Sequence, residues 1–374
     1  MKLLIISFLS SILLASCSTI NDQLKDIGLK APEKESNDFH IAWSKNLDPE
    51  YFTGNLPIGL QSPIIHEGIV YIGKNTGVMN AFDLDNGRLI WQVKDNAGYH
   101  DRPVVYEDKL IYGTIEGRVY SRDLKTGKLA YSVDLGSAVE TQGSIYKGRL
   151  FLHTRNHKLF ALDALTGKIL WAYKRSIPFL TTLQRASKPI VNRNRLIVGF
   201  ADGNVCAFNF ETGVLLWESK IVDAKRFVDV DAKPVIFQGK IVIGSLAGPL
   251  TVINPKNGLI LRRIPYSVGR GLVVKGKTLL AGTTDGELLE IDRNFKVIKS
   301  NKVSKYGISS FVDWKGQLAV SSVGGEILIV NPDTFKLEKS KHLGHVNSAI
   351  FGELQSFEDN LAVFSSRNRL YLVR

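Results

Sequence analysis

The chain has 374 residues, of which 44% are hydrophobic and 22% charged, with 33 Gly, 2 Cys and a formal net charge of +12. That balance excludes a disordered chain, a collagen-like fibre and a disulfide-stapled miniprotein. The length suits either two or three domains or one closed array of repeats, so internal repeats decide the domain count.

Met1-Lys2 is followed by an uncharged apolar run from Leu3 to Leu14, too short to span a bilayer as a settled helix. Residues 1–16 therefore read as a secretory signal peptide. Leu14-Ala15-Ser16-Cys17 is similar to the bacterial lipobox, which implies that Cys17 becomes the first mature residue and is acylated. The alternative is an ordinary signal peptide with a chance Cys. Ser18, rather than Asp, follows Cys17, and by the same resemblance this implies sorting to the outer membrane, facing the periplasm. Residues 17–38 are polar, weakly periodic and interrupted by Pro32, the composition of a flexible tether.

Cleavage removes only Lys2, leaving 47 basic against 36 acidic residues. The Lys and Arg look scattered along the sequence. For an exported chain, such a charge suits solubility and attraction to an anionic membrane surface, and no nucleic-acid partner is expected.

From residue 39 the sequence repeats. The template runs Pro63 to Gly73, then Gly77-Val-Met-Asn-Ala-Phe-Asp83, then Asn86-Gly87-Arg-Leu-Ile-Trp91. The Asp83 position recurs at Asp123, Asp163, Asn209, Asn254, Asp292 and Asn331, at intervals of 38 to 46 residues. Six residues before it stands Gly77, Gly117, His157, Gly203, Gly248, Gly286 or Gly325. Each copy holds four β-branched or aromatic runs separated by turns of two to four residues, which predicts four short antiparallel strands. The first copy places them at 62–65, 69–73, 78–83 and 88–92. Asp83, Asp123 and Asp163 read as turn acceptors, and the glycines supply positive φ.

Near the C-terminus, 360–374 matches the start of the template and stops before its last strand. Phe39-His-Ile-Ala-Trp43-Ser-Lys45 supplies that strand from the other end, with Trp43 where Trp91, Trp171 and Trp217 stand. The expectation is an all-β, eight-bladed propeller over 39–374, closed by its N-terminal strand, which removes an exposed edge. Cys206 falls within an apolar strand and reads as an inert core residue.

Ala81-Phe82-Asp83 with Gly87 and Trp91, and Ala161-Leu162-Asp163 with Gly167 and Trp171, resemble the pyrroloquinoline-quinone-type propeller repeat. A lipobox followed by one such ring is similar to the BamB lipoproteins of the outer-membrane β-barrel assembly machinery. The last three copies lack the Gly-turn Trp signature. This resemblance implies a non-enzymatic scaffold that binds a BamA-like POTRA domain and helps outer-membrane proteins insert, with their unfolded forms as further candidate partners. Two alternatives stand beside it: a quinoprotein-like dehydrogenase and a propeller that binds envelope glycan or peptidoglycan. The dehydrogenases of this repeat hold their quinone with vicinal cysteines, an aromatic stack and calcium. This chain has no vicinal Cys, and no cofactor or metal is expected. His153 and His157, four apart, replace repeat glycines at strand ends and make a poor metal pair.

Recognition should sit where repeat length varies. From the Pro63 to the Trp91 position every full copy keeps one length, so variation falls in the connectors between blades, on one face. Connectors 172–188 and 218–233 are long and adjacent. They hold Leu180, Leu183 and Arg185, then Arg226, Asp229 and Asp231, an interface composition of apolar anchors and charges. By resemblance, BamB proteins dock through a Leu-rich, Arg-bearing loop and a neighbouring Asp-x-Asp before the next Pro. Asp229-Val230-Asp231 before Pro234 matches this closely; either Gln184 or Arg185 fills the family's Arg position.

Overall fold

The computed structural model describes residues 39–47, 60–177, 187–223, 228–344 and 348–374. Among these residues there are 32 strands and no helix, and the strands assort into eight four-stranded antiparallel sheets. Seven sheets are continuous in sequence: blades 1 to 7 occupy 64–94, 104–134, 144–174, 190–220, 235–264, 272–302 and 308–342. Blade 8 takes three strands from Gln355–Phe357, Asn360–Ser365 and Arg369–Val373, and its outermost strand is Ile41–Asn46. Residues 42–373 make one body, in which the first strands of blades 1 and 8 touch, as do those of blades 7 and 8. The eight-bladed ring and its closure by the N-terminal strand are thus as the repeat count predicts.

Local chemistry accounts for each blade. The first hairpin of blade 1 turns at Glu67 and Gly68 with φ of 46° and 73°, both in the left-handed region, so the pair makes a primed two-residue turn whose twist matches the strands. The β-branched strands that follow supply the buried rows between blades: Val70 and Ile72 pack with Phe364 and Leu372 of blade 8. The first strand of every blade but the seventh is short; in blade 1 it runs Ile64–His66, later than expected, because Pro63 offers no N–H to the ladder.

The third turn is an Asx turn in all seven copies. Asp83 Oδ1 accepts from the amides of Asp85 and Asn86 at 3.0 and 3.1 Å, and Asp163 Oδ1 from Leu165 and Thr166 at 3.1 and 2.8 Å. Asn209, Asn254 and Asn331 do the same through Oδ1, which explains why Asn substitutes freely for Asp. Where the acceptor is Asp123 or Asp163, hydrogen bonds from Thr126 or Thr166 hold the carboxyl below its ordinary range. These carboxylates stabilise turns.

The repeated Trp acts between blades. Trp43 Nε1 of blade 8 donates to Leu84 O of blade 1 at 2.9 Å, and Trp91 to Leu124 O of blade 2 at 2.8 Å. Trp171 reaches Phe210 O and Trp217 reaches Pro255 O, each at 3.1 Å. In blade 2, Tyr131 stands in the Trp position and its OH reaches Ala164 O at 3.1 Å. Each ring lies over the turn glycine of the next blade. A Cβ on Gly127, whose φ is +69°, would come within 2.9 Å of the Trp91 ring. Gly87 and Trp91 therefore belong to opposite halves of one clamp repeated between blades.

In the last three copies, which lack the Trp, other donors span the gap. Arg262 Nη1 donates to Asn294 O at 2.9 Å, Asn301 Nδ2 to Phe335 O at 2.7 Å, and Trp314 Nε1 to Asp359 O at 2.9 Å. Cys206 is fully buried beside Phe208 and Phe210, and burial pushes its thiol up to about 12, which leaves it unreactive.

Candidate functional site

The described ends of the connectors lie on the ring face that also carries the second turn of each blade, so 175–177, 187–188, 221–223, 228–233 and the turn at 199–204 share that face at blades 3 to 5. Cys17, Leu180, Leu183, Arg185 and Arg226 lie outside the described residues. Asp229 and Asp231 lie within them, and here the expectation of exposed loop charges is corrected. Asp229 is 3% exposed and Asp231 8%. The cause is the alternation of the segment: Val228, Val230 and Ala232 are wedged into the cluster between blades 4 and 5 with Ile197, Val205 and Ile241. Val230 N donates to Phe200 O at 3.1 Å, and Ser245 Oγ to Asp229 O at 3.1 Å. Gly199 permits this approach, because a Cβ there would stand 2.3 Å from Val230 O. Asp229 and Asp231 thus sit at the root of the connector.

Around that root the ring places groups that the sequence reading did not single out. Arg175, just past the last strand of blade 3, donates through Nε to Asp202 Oδ2 at 2.6 Å and through Nη1 to Glu218 Oε2 at 2.8 Å. Its guanidinium lies 5.4 Å from the centre of the Phe200 ring. Asp202 and Asp229 both act electrostatically on His157, which stands in a glycine position with φ of +59°. His157 is buried, and burial holds its imidazole below the ordinary range. His153, fully buried against Phe200, is lowered to about 3 by burial and by His157. Its Nδ1 lies 3.2 Å from Ser187 O in connector 172–188. Both rings are therefore neutral near pH 7, and His153 braces the connector at Ser187. The signal available in sequence was the loss of the repeat glycines at 153 and 157.

The residues just before the first strands also gather charge. Arg102, two residues before blade 2, reaches past blade 1 to blade 8, donating to Glu353 Oε2 at 2.9 Å and to Gln355 Oε1 at 2.6 Å, while its Nε donates to Pro63 O at 3.2 Å. Burial would raise the Glu353 carboxyl, but Arg102, Lys233, Lys188 and Arg270 outweigh it and hold the group low. No cluster of three or more metal-ligating side chains occurs among the described residues.

The family model for "Outer membrane protein assembly factor BamB" matches residues 74–296, more than half of the chain. The chain belongs to the BamB family. It is 33% identical over 129 residues to the outer membrane protein assembly factor BamB of Kangiella koreensis, covering 33% of each chain. It is 32% identical over 132 residues to the quinoprotein alcohol dehydrogenase PedH of Pseudomonas putida, covering 32% of this chain and 22% of that one. The chain thus aligns over a third or less of the length of these relatives. The crystal structure of BamB from Moraxella catarrhalis superposes with a TM-score of 0.75 at 18% identity, covering 90% of this chain and 99% of that one, which shows a shared fold.

Proposed function

We propose that the protein is a non-enzymatic scaffold of the outer-membrane β-barrel assembly machinery. Held at the inner face of the outer membrane by acylated Cys17, it docks on a POTRA domain of a BamA-like protein and assists insertion of outer-membrane proteins. The observation that carries this reading is membership of the BamB family, whose model runs from the second half of blade 1 through the third strand of blade 6 and so includes both long connectors. Contact falls to Leu180, Leu183, Arg185 and Arg226, while Asp229 and Asp231, buried at the connector root, position that face. Beside the first strands Arg102 pairs with Glu353, and Lys233, Lys188 and Arg270 act on the same carboxylate, an ion cluster that supports a packing role there over a quinone site. Affinity purification of the acylated chain from detergent-solubilised membranes should recover a BamA-like protein as a major partner. Recovery of the bait with no such partner, under conditions that keep the rest of the machinery together, overturns the proposal.

A further inference from the structure

The basic residues that look scattered in sequence are gathered by the ring onto one arc of its perimeter. Each outermost strand, with the Asx turn leading into it, forms the rim of its blade. In blades 5, 6 and 7 these segments are 254–264, 292–302 and 331–342. They carry three basic and no acidic, four and one, and three and two residues respectively, ten against three in all. The equivalent segments of blades 1 to 4, 83–94, 123–134, 163–174 and 209–220, carry seven of each sign. The arc therefore holds a surplus of seven positive charges, out of +12 for the whole chain. These are also the three blades in which the Trp signature is lost and, by strand register, Arg262, Lys299 and Lys339 stand in its place.

Some of the ten have local work, Lys339 and Lys341 among them. Arg262 caps Asn294 O, and Lys299 lies 2.6 Å from Glu290 and 4.4 Å from the centre of the Phe335 ring. Others, among them Lys256, Arg263, Arg293, Lys302 and Lys336, are exposed. Leu259 is 59% exposed, Ile298 58% and Leu337 40%, so apolar side chains stand among the cations. Apolar rim residues recur in blades 1 to 4, as at Leu129 and Val214; the charge is what singles out blades 5 to 7.

We infer that the rim of blades 5 to 7 is a docking surface for an anionic phospholipid bilayer, against which the ring stands on its edge. Charge complementarity argues for that occupant: a row of cations interleaved with aliphatic groups fits a plane of phosphate headgroups over an apolar interior. Successive blades of an eight-fold ring turn by about 45°. Strands of blades 5 and 7 therefore rise from a plane tangent to blade 6 by roughly 10 Å or less, about one Debye length at 0.1 M salt. All three rims act on one surface together. The arc is separate from the connector face of blades 3 to 5, so a bilayer under it leaves that face open to a protein partner.

The test uses the mature chain, 17–374, with Cys17→Ser so that acyl chains do not dominate, sedimented with vesicles. Binding to phosphatidylethanolamine vesicles containing about a third phosphatidylglycerol should be saturable, disappear at 0.5 M salt and be absent from phosphatidylcholine vesicles. Each basic residue near an anionic surface contributes about five-fold to partitioning, so Arg263→Gln with Lys302→Gln and Lys336→Gln should weaken binding about a hundredfold at an unchanged melting temperature. Arg88→Gln with Lys128→Gln and Lys168→Gln, equally exposed rim positions of blades 1 to 3, should change it less than about three-fold. Equal losses in the two triple variants would show general attraction by net charge and overturn the proposal. So would an absence of vesicle binding by the parent at low salt. If the first triple variant self-associates while its vesicle binding is unchanged, the cations protect strand edges and the proposal fails.

Discussion

Replacing Trp43 tests ring closure at a single side chain. The outermost strand of blade 8 is the one strand of the ring supplied from the distant end of the chain, so no short turn ties it to its neighbour. Trp43 locks it to blade 1: its indole donates to Leu84 O at 2.9 Å, its ring lies 6.3 Å from that of Phe82, and it covers Gly87, where an added Cβ would approach to 2.8 Å. Burying a Trp and then truncating it to Ala costs about 3 to 5 kcal/mol in a closed core; Trp43 is half-buried, so about 2 to 4 kcal/mol is expected. The hydrogen bond accounts for roughly 1 kcal/mol of that, so Trp43→Phe should cost only about 1 kcal/mol. For a body of this size, Trp43→Ala should lower the melting temperature by about 3 to 6 °C. Hydrogen exchange should show the loss concentrated in Ile41–Asn46 and Arg369–Val373, with blades 3 to 5 nearly unaffected. A Trp43→Ala protein with the wild-type melting curve, or protection lost evenly around the ring, would refute closure by this clamp.

Three further outcomes follow from particular residues. Gly127→Ala should destabilise clearly more than Gly136→Ala in urea titrations: both have positive φ, +69° and +67°, but only the first drives a methyl into the Trp91 ring while the second meets open space. His153, held at about 3 by burial, leaves the unfolded chain to bind the proton first, so its contribution to stability is intact above pH 6.5 and is lost as pH falls toward 3, at up to about 1.4 kcal/mol per unit. His153→Leu should flatten that acid limb in denaturant titrations between pH 4 and 7, and an unchanged difference from wild type would contradict the burial argument. Cys17→Ala should yield unprocessed or soluble protein, and normal membrane fractionation of a processed Cys17→Ala chain would show that the lipobox resemblance misleads.

Blade count, strand order and ring closure were legible in the sequence because each rests on a local rule repeated many times. Asp83 and its six counterparts specify one turn, and the Gly at 87 and Trp at 91 recur because each pair joins consecutive blades. The site was less legible. Asp229-Val230-Asp231 reads as a charged loop, yet alternation with Val228, Val230 and Ala232 takes it into an inter-blade core, which depends on the missing Cβ of Gly199 thirty-one residues earlier. Arg175 follows blade 3 while Asp202 and Glu218 belong to blade 4, and no spacing rule links them. The buried pair of Arg122 with Asp95, to which Tyr99 and Tyr112 also donate at 2.7 and 2.9 Å, is likewise invisible as a motif. The basic arc is hidden for the same reason: its charges are some forty residues apart along the chain and become neighbours only when outermost strands stand side by side on the ring.

Calorimetry with purified POTRA domains of the cognate BamA-like protein bears most directly on the docking claim. The mature chain should bind one of them saturably. Leu180→Ala with Leu183→Ala and Arg185→Ala should weaken that binding at least about thirty-fold with an unchanged melting temperature, since anchors and desolvated charges at an interface are worth roughly 2 kcal/mol or more. Asp229→Asn with Asp231→Asn, acting from the connector root, should weaken it less, and Asp83→Asn with Asp85→Asn, on the opposite face, should leave it intact. Wild-type affinity in the connector variant, or no binding of any POTRA domain by the parent chain, would contradict the account.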